Sequence, residues 1–280
     1  MSSPFFKQEF YLKADNEQET AQNGLLSFVD ISRSGIQILK RNKTFKAIEF
    51  ASFIFPFSSD NSAWSKNTTQ ILESNKFKAF ISKTEVGFSI SDSQVTLVPA
   101  SLYSEKEKTT NFEFLFGVSD DILIQTQELS SSDTVGVFGI PKGIVNAVSK
   151  PIQSSYLNWT DGLAGDSTKV KANLVFNEKQ FALVIQNGGK LIFSNWFDYS
   201  KSDDVLYYLM ASLETLKILH SEVEIVLSGK VSKDGEVHSA ISKFISKLSL
   251  GKRSKNLTYS YSFKGLQEHK FPFIFASACA

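Results

Sequence analysis

The sequence predicts a mixed α/β protein made of two similar lobes. Three observations carry that expectation. Residues 169–248 read as strand, strand, strand, helix, strand, helix. A similar order of elements starts near Gly24. The chain is also large and apolar enough, at 280 residues and 42% hydrophobic, to bury one large core or two ordinary ones.

The second half has the clearer signals. Lys171 to Asn177, Gln180 to Gln186 and Lys190 to Phe197 are apolar runs of strand length. Asn187-Gly188-Gly189 separates the last two, a hairpin signal because the central residues of a tight turn need positive φ. Val205, Leu206, Leu209, Leu213 and Leu216 then fall on one helical face. Ser202 is the expected N-cap, with Asp203 and Asp204 complementing the helix dipole. Val223, Ile225 and Leu227 alternate as a strand that ends at Gly229. A last helix, capped by Asp234, is expected to place Val237, Ala240, Ile241, Phe244, Ile245 and Leu248 on one face. Beyond it come a small basic loop, a strand over Leu257 to Phe263 and an uncharged tail from Phe271 to Ala280, expected to dock on the body.

The first half repeats the order less regularly. Strands are expected over Phe5 to Leu12, Leu25 to Asp30, Ile36 to Lys40 and Thr44 to Phe55, with a polar loop over Lys13 to Asn23. A helix over Asp60 to Asn75 shows Trp64, Ile71 and Leu72 on one face. Ala79 to Lys83, Gly87 to Ser91 and Gln94 to Pro99 read as strands. In the linking insert, Asn111 to Gly117 and Ile122 to Glu128 alternate like strands, and Val135 to Ile140 is a buried strand. Pro141 precedes a helix with Ile144, Val145 and Val148 on its face. Ile152 to Asn158 reads as a strand, and the boundary falls within Thr160 to Thr168. The expected division is residues 1–165, a first lobe with the insert, and residues 166–280, a second lobe.

Lys190 to Gly229 resembles an uncharacterised bacterial family known as a domain of unknown function. The likeness rests on Gly189-Lys190-Leu191, Asn195-Trp196-Phe197, Asp203-Asp204-Val205-Leu206-Tyr207-Tyr208-Leu209 and Leu227-Ser228-Gly229. In element order the whole chain resembles the duplicated, ribonuclease H-like actin-like ATPase fold, closest to its PilM-like branch in pilus and secretion assembly. That resemblance implies an Asp-x-Gly phosphate turn near the start of each half and a glycine-rich loop under the adenosine. Here Asp30 matches the first turn, and Ser32 stands in place of its glycine. The second turn, Val175-Phe176-Asn177-Glu178, has neither residue, and Ser228-Gly229-Lys230 keeps one glycine of the pair. The resemblance thus implies a degenerate nucleotide site at Asp30, Ser32 and Gly229. The preferred function is a non-catalytic scaffold or interaction protein with no cofactor. The alternative is an Mg-ATP-binding or slowly hydrolysing ATPase using Asp30 and Gly229.

Other chemistry has plainer explanations. His220, His238 and His269 have no metal-ligand spacing, and the one cysteine, Cys279, excludes an internal disulfide or a thiolate cluster. Gly188-Gly189-Lys190 lacks the spacing of a phosphate loop. The formal net charge is +1 and only three basic residues are arginine, so nucleic acid is not the expected partner. No apolar run is long enough to span a bilayer, and no signal peptide is recognised, which points to the cytoplasm. The expected partner is a protein or peptide, with Asn195, Trp196, Phe197 and Tyr207 as candidate contacts. Assembly of the chain into a homo-oligomer stays open.

Overall fold

The computed structural model describes residues 6–14, 24–164, 169–252 and 254–279. The expected loop over residues 15–23, the end of the boundary segment at 165–168, and Phe5, Arg253 and Ala280 lie outside the described residues.

Two sheets share one topology. The first contains β1 (Lys7–Lys13), β2 (Leu26–Ser32), β3 (Gly35–Arg41), β4 (Lys46–Ile54), β5 (Glu85–Ser91) and β9 (Ile152–Ser154). The second contains β10 (Val170–Phe176), β11 (Gln180–Asn187), β12 (Lys190–Asp198), β13 (Glu224–Gly229) and β14 (Leu248–Leu250). Their strand orders, β4-β3-β2-β5-β9 and β12-β11-β10-β13-β14, are the same path through the sheet. In both, the first three strands form antiparallel pairs and the last two join in parallel. The element order read from the sequence therefore corresponds to a repeated fold. β1 adds an edge to β4 in the first sheet. A third sheet, in the order β6 (Val95–Pro99), β8 (Thr134–Pro141), β7 (Ile122–Leu129), is inserted between β5 and β9.

Helices cover the sheets on both faces. They are α1 (Asn61–Glu73), α2 (Asn75–Ile81), α3 (Lys108–Phe116), α4 (Lys142–Val148), α5 (Ser155–Gly162), α6 (Ser202–Thr215), α7 (Glu236–Ser242) and α8 (Pro272–Ser277). One core cluster runs from Val29, Ile31 and Trp64 through Tyr156 and Trp159 of α5 to Val175, Ala182 and Val184 on the second sheet. The other face of the second sheet packs on α6 and α7 through Val205, Leu209, Leu213 and Ile241. A third cluster joins Leu39, Ala47 and Phe50 to Phe263, Phe271, Ile274, Phe275 and Ala278. The tail does dock, and it does so on the first sheet: β15 (Thr258–Tyr259) pairs with β4, and α8 lies against β2 and β3.

Local chemistry corrects several expectations. Ala79–Lys83 is not a strand. Ser74 closes α1 and its hydroxyl accepts from Phe77 N, starting α2, which buries Phe77 and Phe80. Residues 111–116 of the strand expected over Asn111–Gly117 are helical within α3, where the alternating phenylalanines point opposite ways: Phe112 is buried and Phe114 is 88% exposed. The strand at Ile152 lasts three residues, because the Ser154 hydroxyl accepts from Leu157 N and caps α5. Ser202 is the first residue of α6 rather than its cap. The Asp204 carboxylate caps the helix by accepting from Ser200 N (2.9 Å) and Lys201 N (3.1 Å). α7 is preceded by Gly235, not Asp234, and stops at Ser242, so Leu248 serves β14. Thr258–Tyr259 is all that forms of the strand expected to reach Phe263, whose last residues make a 3-10 turn. The hairpin after β11 has Gly188 and Gly189 as its central residues, at φ 58 and 75°, with Asn187 paired to Lys190.

Candidate functional site

The two turns singled out by the sequence face each other across the cleft between the first and second sheets. Asp30 lies on β2 one strand from Ser89, its register partner on β5. It points toward α5 and the tail and is 3% exposed. Ser89 Oγ and Ser91 Oγ each donate to a carboxylate oxygen at 3.1 Å, and the nearby Ser155 hydroxyl, which forms no hydrogen bond of its own, also favours the ionised form. Ser277 of α8 donates to Ser89 at 3.3 Å, so the network ties the tail to the carboxylate. Burial pushes Asp30 up to about 6, and the three serines only partly oppose it.

That shift fixes a sign. The folded state holds the Asp30 proton more tightly than the unfolded chain, so this stabilising contribution is complete below about pH 4 and is lost as pH rises through about 6. The ionised carboxylate costs the fold up to about 3 kcal/mol at neutral pH. Asp30→Asn is therefore expected to raise stability by roughly 1–3 kcal/mol near pH 8 and to flatten the pH dependence between about 4 and 6, measured by urea unfolding. A loss of stability near pH 8 would contradict this reading.

Ser32 closes its own turn. Its hydroxyl donates to Gly35 O (3.1 Å) and accepts from Ser34 N (3.4 Å). Arg33 beside it is held by a bidentate pair with Asp92 (2.8 and 2.7 Å) and lies 4.5 Å from the Trp64 ring centre. Trp64 Nε1 donates to Ser32 O (2.7 Å), which fixes the turn from below. In the second turn the Asn177 side-chain oxygen accepts from Lys179 N (2.9 Å) and Gln180 N (2.7 Å). Glu178 pairs with Lys230. Gly229, at φ 81°, ends β13 where a Cβ would meet Phe176 O at 2.1 Å. Close backbone approach thus accounts for the glycine.

The structure brings Asp30, Ser32 and Gly229 to one crevice, together with Asn177, Trp196, Phe271 and Phe273. Its volume is about 100 Å³, against roughly 300–1,000 Å³ for ordinary ligand sites. It adjoins a groove of about 560 Å³ lined by Phe10, Phe53, Phe55, Glu178, Lys230 and Phe271 among others. Among the described residues, no group of three His, Cys, Asp or Glu side chains could hold a metal ion.

The other four candidates do not form one patch. β12 is an edge strand whose two faces serve different cores. Trp196 packs on Tyr156 (centroids 5.2 Å) toward the first core, and Phe197 stacks on Tyr208 (4.5 Å) in the second. Asn195 is exposed, and Tyr207 is 68% exposed on α6. Sequence reasoning missed the serines around Asp30, the Arg33–Asp92 lock and the tail aromatics. Ser89-Ile90-Ser91, with serines two apart on a strand, was the one readable signal for a polar face opposite Asp30.

This architecture is that of the actin-like ATPase fold. A protein of unknown function with that fold from Bacteroides thetaiotaomicron superposes with a TM-score of 0.70 at 17% identity, covering 83% of this chain and 93% of its own. The PilM–PilN type IV pilus biogenesis complex gives 0.60 at 14% identity, covering 92% and 98%. The ethanolamine utilization protein EutJ from Carboxydothermus hydrogenoformans gives 0.50 at 8%, covering 92% and 90%. Among curated protein sequences none matches. The chain belongs to the family described as "Protein of unknown function (DUF3822)", whose profile matches residues 14–248. Among the described residues, no helix is long and apolar enough to cross a membrane.

Proposed function

We infer that the chain is a non-catalytic scaffold or interaction protein that keeps the two-lobed architecture without turning over nucleotide, and that it works in the cytoplasm. One observation supports this most: the groups that would meet a triphosphate are engaged with one another. Lys230 is paired with Glu178, Arg33 with Asp92, and the N–H groups of the second turn with Asn177. Asp30 accepts from serines in a site where burial penalises its charge. The two carboxylates that line the crevice with Asp30 are each held in an ion pair, Asp92 by Arg33 and Glu178 by Lys230, rather than left for magnesium. The residues present do not fit Mg-ATP held through Asp30 and Gly229.

A protein partner is the reading for the exposed flank. Asn195 on the free edge of β12 and Tyr207 on α6 remain accessible, whereas Trp196 and Phe197 are used in packing. An unpaired strand edge offers main-chain donors and acceptors to an extended peptide. The test is phosphate release from Mg-ATP by the full chain and by Asp30→Asn. Both are expected to stay at background. Turnover by the natural chain that Asp30→Asn abolishes would overturn the reading.

A further inference from the structure

The inner face of the second sheet carries two polar side chains without partners. Asn173 on β10 and Ser228 on β13 are 6% and 5% exposed. Among the described residues no hydrogen bond reaches the Asn173 carboxamide or the Ser228 hydroxyl. The register pairs Asn173 with Val226 and Val175 with Ser228, so the two point the same way from neighbouring strands. A diagonal of that kind spans roughly 7–8 Å. Their polar atoms are therefore not sealed in the protein but open onto the space beside them, where water or a ligand can satisfy them.

Both border a cavity of about 600 Å³. Trp159 of α5 and Phe275 of α8 also line it. Lys252 and Lys255, both exposed, stand on its rim and have no ion-pair partner among the described residues. The carboxylates on the wall are otherwise engaged. Asp161 accepts from Ser130 Oγ (2.6 Å) and Ser131 N (2.7 Å), and Glu268 has a partner within the chain. Pro272 is the one lining residue shared by this cavity and the Asp30 crevice.

We propose that this cavity is a binding site for a small phosphorylated polyol, a sugar phosphate being the simplest member. Its hydroxyls meet Asn173 and Ser228, which can each donate and accept. Its carbon skeleton lies against Trp159 and Phe275. Its phosphate sits between the Lys252 and Lys255 ammonium groups, which act as point charges on a dianion. The volume is that of an ordinary small-molecule site. Neither the Asp30 turn nor the fate of nucleotide enters this assignment.

Titration calorimetry on the full chain tests it, with glucose-6-phosphate and ribose-5-phosphate as probes and glucose and inorganic phosphate as controls. At least one sugar phosphate is expected to bind saturably and more tightly than either control. The double variant Lys252→Glu, Lys255→Glu changes only exposed side chains, so its melting temperature is expected to stay put while affinity falls roughly tenfold or more. Asn173→Leu is expected to abolish binding where it folds. No heat from either probe at millimolar concentration would overturn the proposal. So would unchanged affinity in the lysine variant, or phosphate alone binding as tightly as the sugar phosphates.

Discussion

Gly229→Ala is expected to lower stability by roughly 3 kcal/mol, from the strain of a left-handed backbone and the overpacking of a new methyl group. The residue sits at φ 81°, and an added Cβ would lie 2.1 Å from Phe176 O and 2.7 Å from Phe176 N. Both neighbours are backbone of β10, and Lys230 N donates to that same carbonyl at 2.9 Å, so neither can move alone. Gly188 is the internal control. It is also left-handed, at φ 58°, but an added Cβ there meets nothing within 4 Å. Gly188→Ala is expected to cost only about 1 kcal/mol. Urea unfolding of the two variants side by side separates strain from close approach. Equal losses would mean that the contact with Phe176 is not a constraint, and the structural explanation of Gly229 would fall.

Ending the chain at Lys270 is expected to abolish the cooperative unfolding transition. The lost segment supplies Phe271, Ile274, Phe275 and Ala278 to the third core cluster, where the Phe50 ring lies 5.0 Å from Phe271 and 6.0 Å from Phe275. It also supplies the acceptor for a buried arginine: Arg41 Nε donates to Ala278 O at 2.7 Å. Truncation exposes Leu39 and Phe50 and removes the acceptor of Arg41 Nε. Two aromatic side chains at about 3–5 kcal/mol each and Ile274 at about 2–5 kcal/mol sum to roughly 8–15 kcal/mol, as large as the roughly 5–15 kcal/mol by which domains are usually stable. The point variant Phe275→Ala, expected to cost about 3–5 kcal/mol, gives a graded measurement. A truncated chain that melts cooperatively within a few degrees of the full one would show the tail to be an accessory.

The fold was legible where one segment decides its own structure. The three-strand pattern of the second half, the glycine hairpin and the apolar stripe of α6 all depend on periodicity and turn chemistry that local sequence contains. Errors arose where two local readings competed. Phe112, Phe114 and Phe116 alternate as a strand would, yet α3 buries Phe112 and leaves Phe114 in solvent. Ile152 begins a strand that Ser154 converts into a helix after three residues. The stripe from Val237 to Leu248 suggested one long helix, but Leu248 and Leu250 gain parallel partners on β13 that a helix could not offer them.

The candidate site divides in the same way. The two turns could be located from the order of elements, and the loss of their Asp-x-Gly pattern was visible. What holds the Asp30 carboxylate was not, because it depends on contacts far apart in sequence. Asn158 Nδ2 reaches Ser277, Ser277 reaches Ser89, and Ser89 reaches Asp30. Trp196 and Phe197 illustrate the limit from the other side. Neighbours in sequence, they read as one aromatic pair, but the pleat of β12 sends them to separate cores.

The central claim is that the groups facing the crevice between the two turns are engaged with one another rather than left for a triphosphate. The most direct measurement is the melting temperature of the full chain with and without millimolar Mg-ATP. Any ligand bound to the folded state must raise it once the ligand greatly exceeds its dissociation constant. No shift is expected, in the natural chain or in Asp30→Asn. A rise of several degrees that requires magnesium and disappears in Asp30→Asn would contradict the claim.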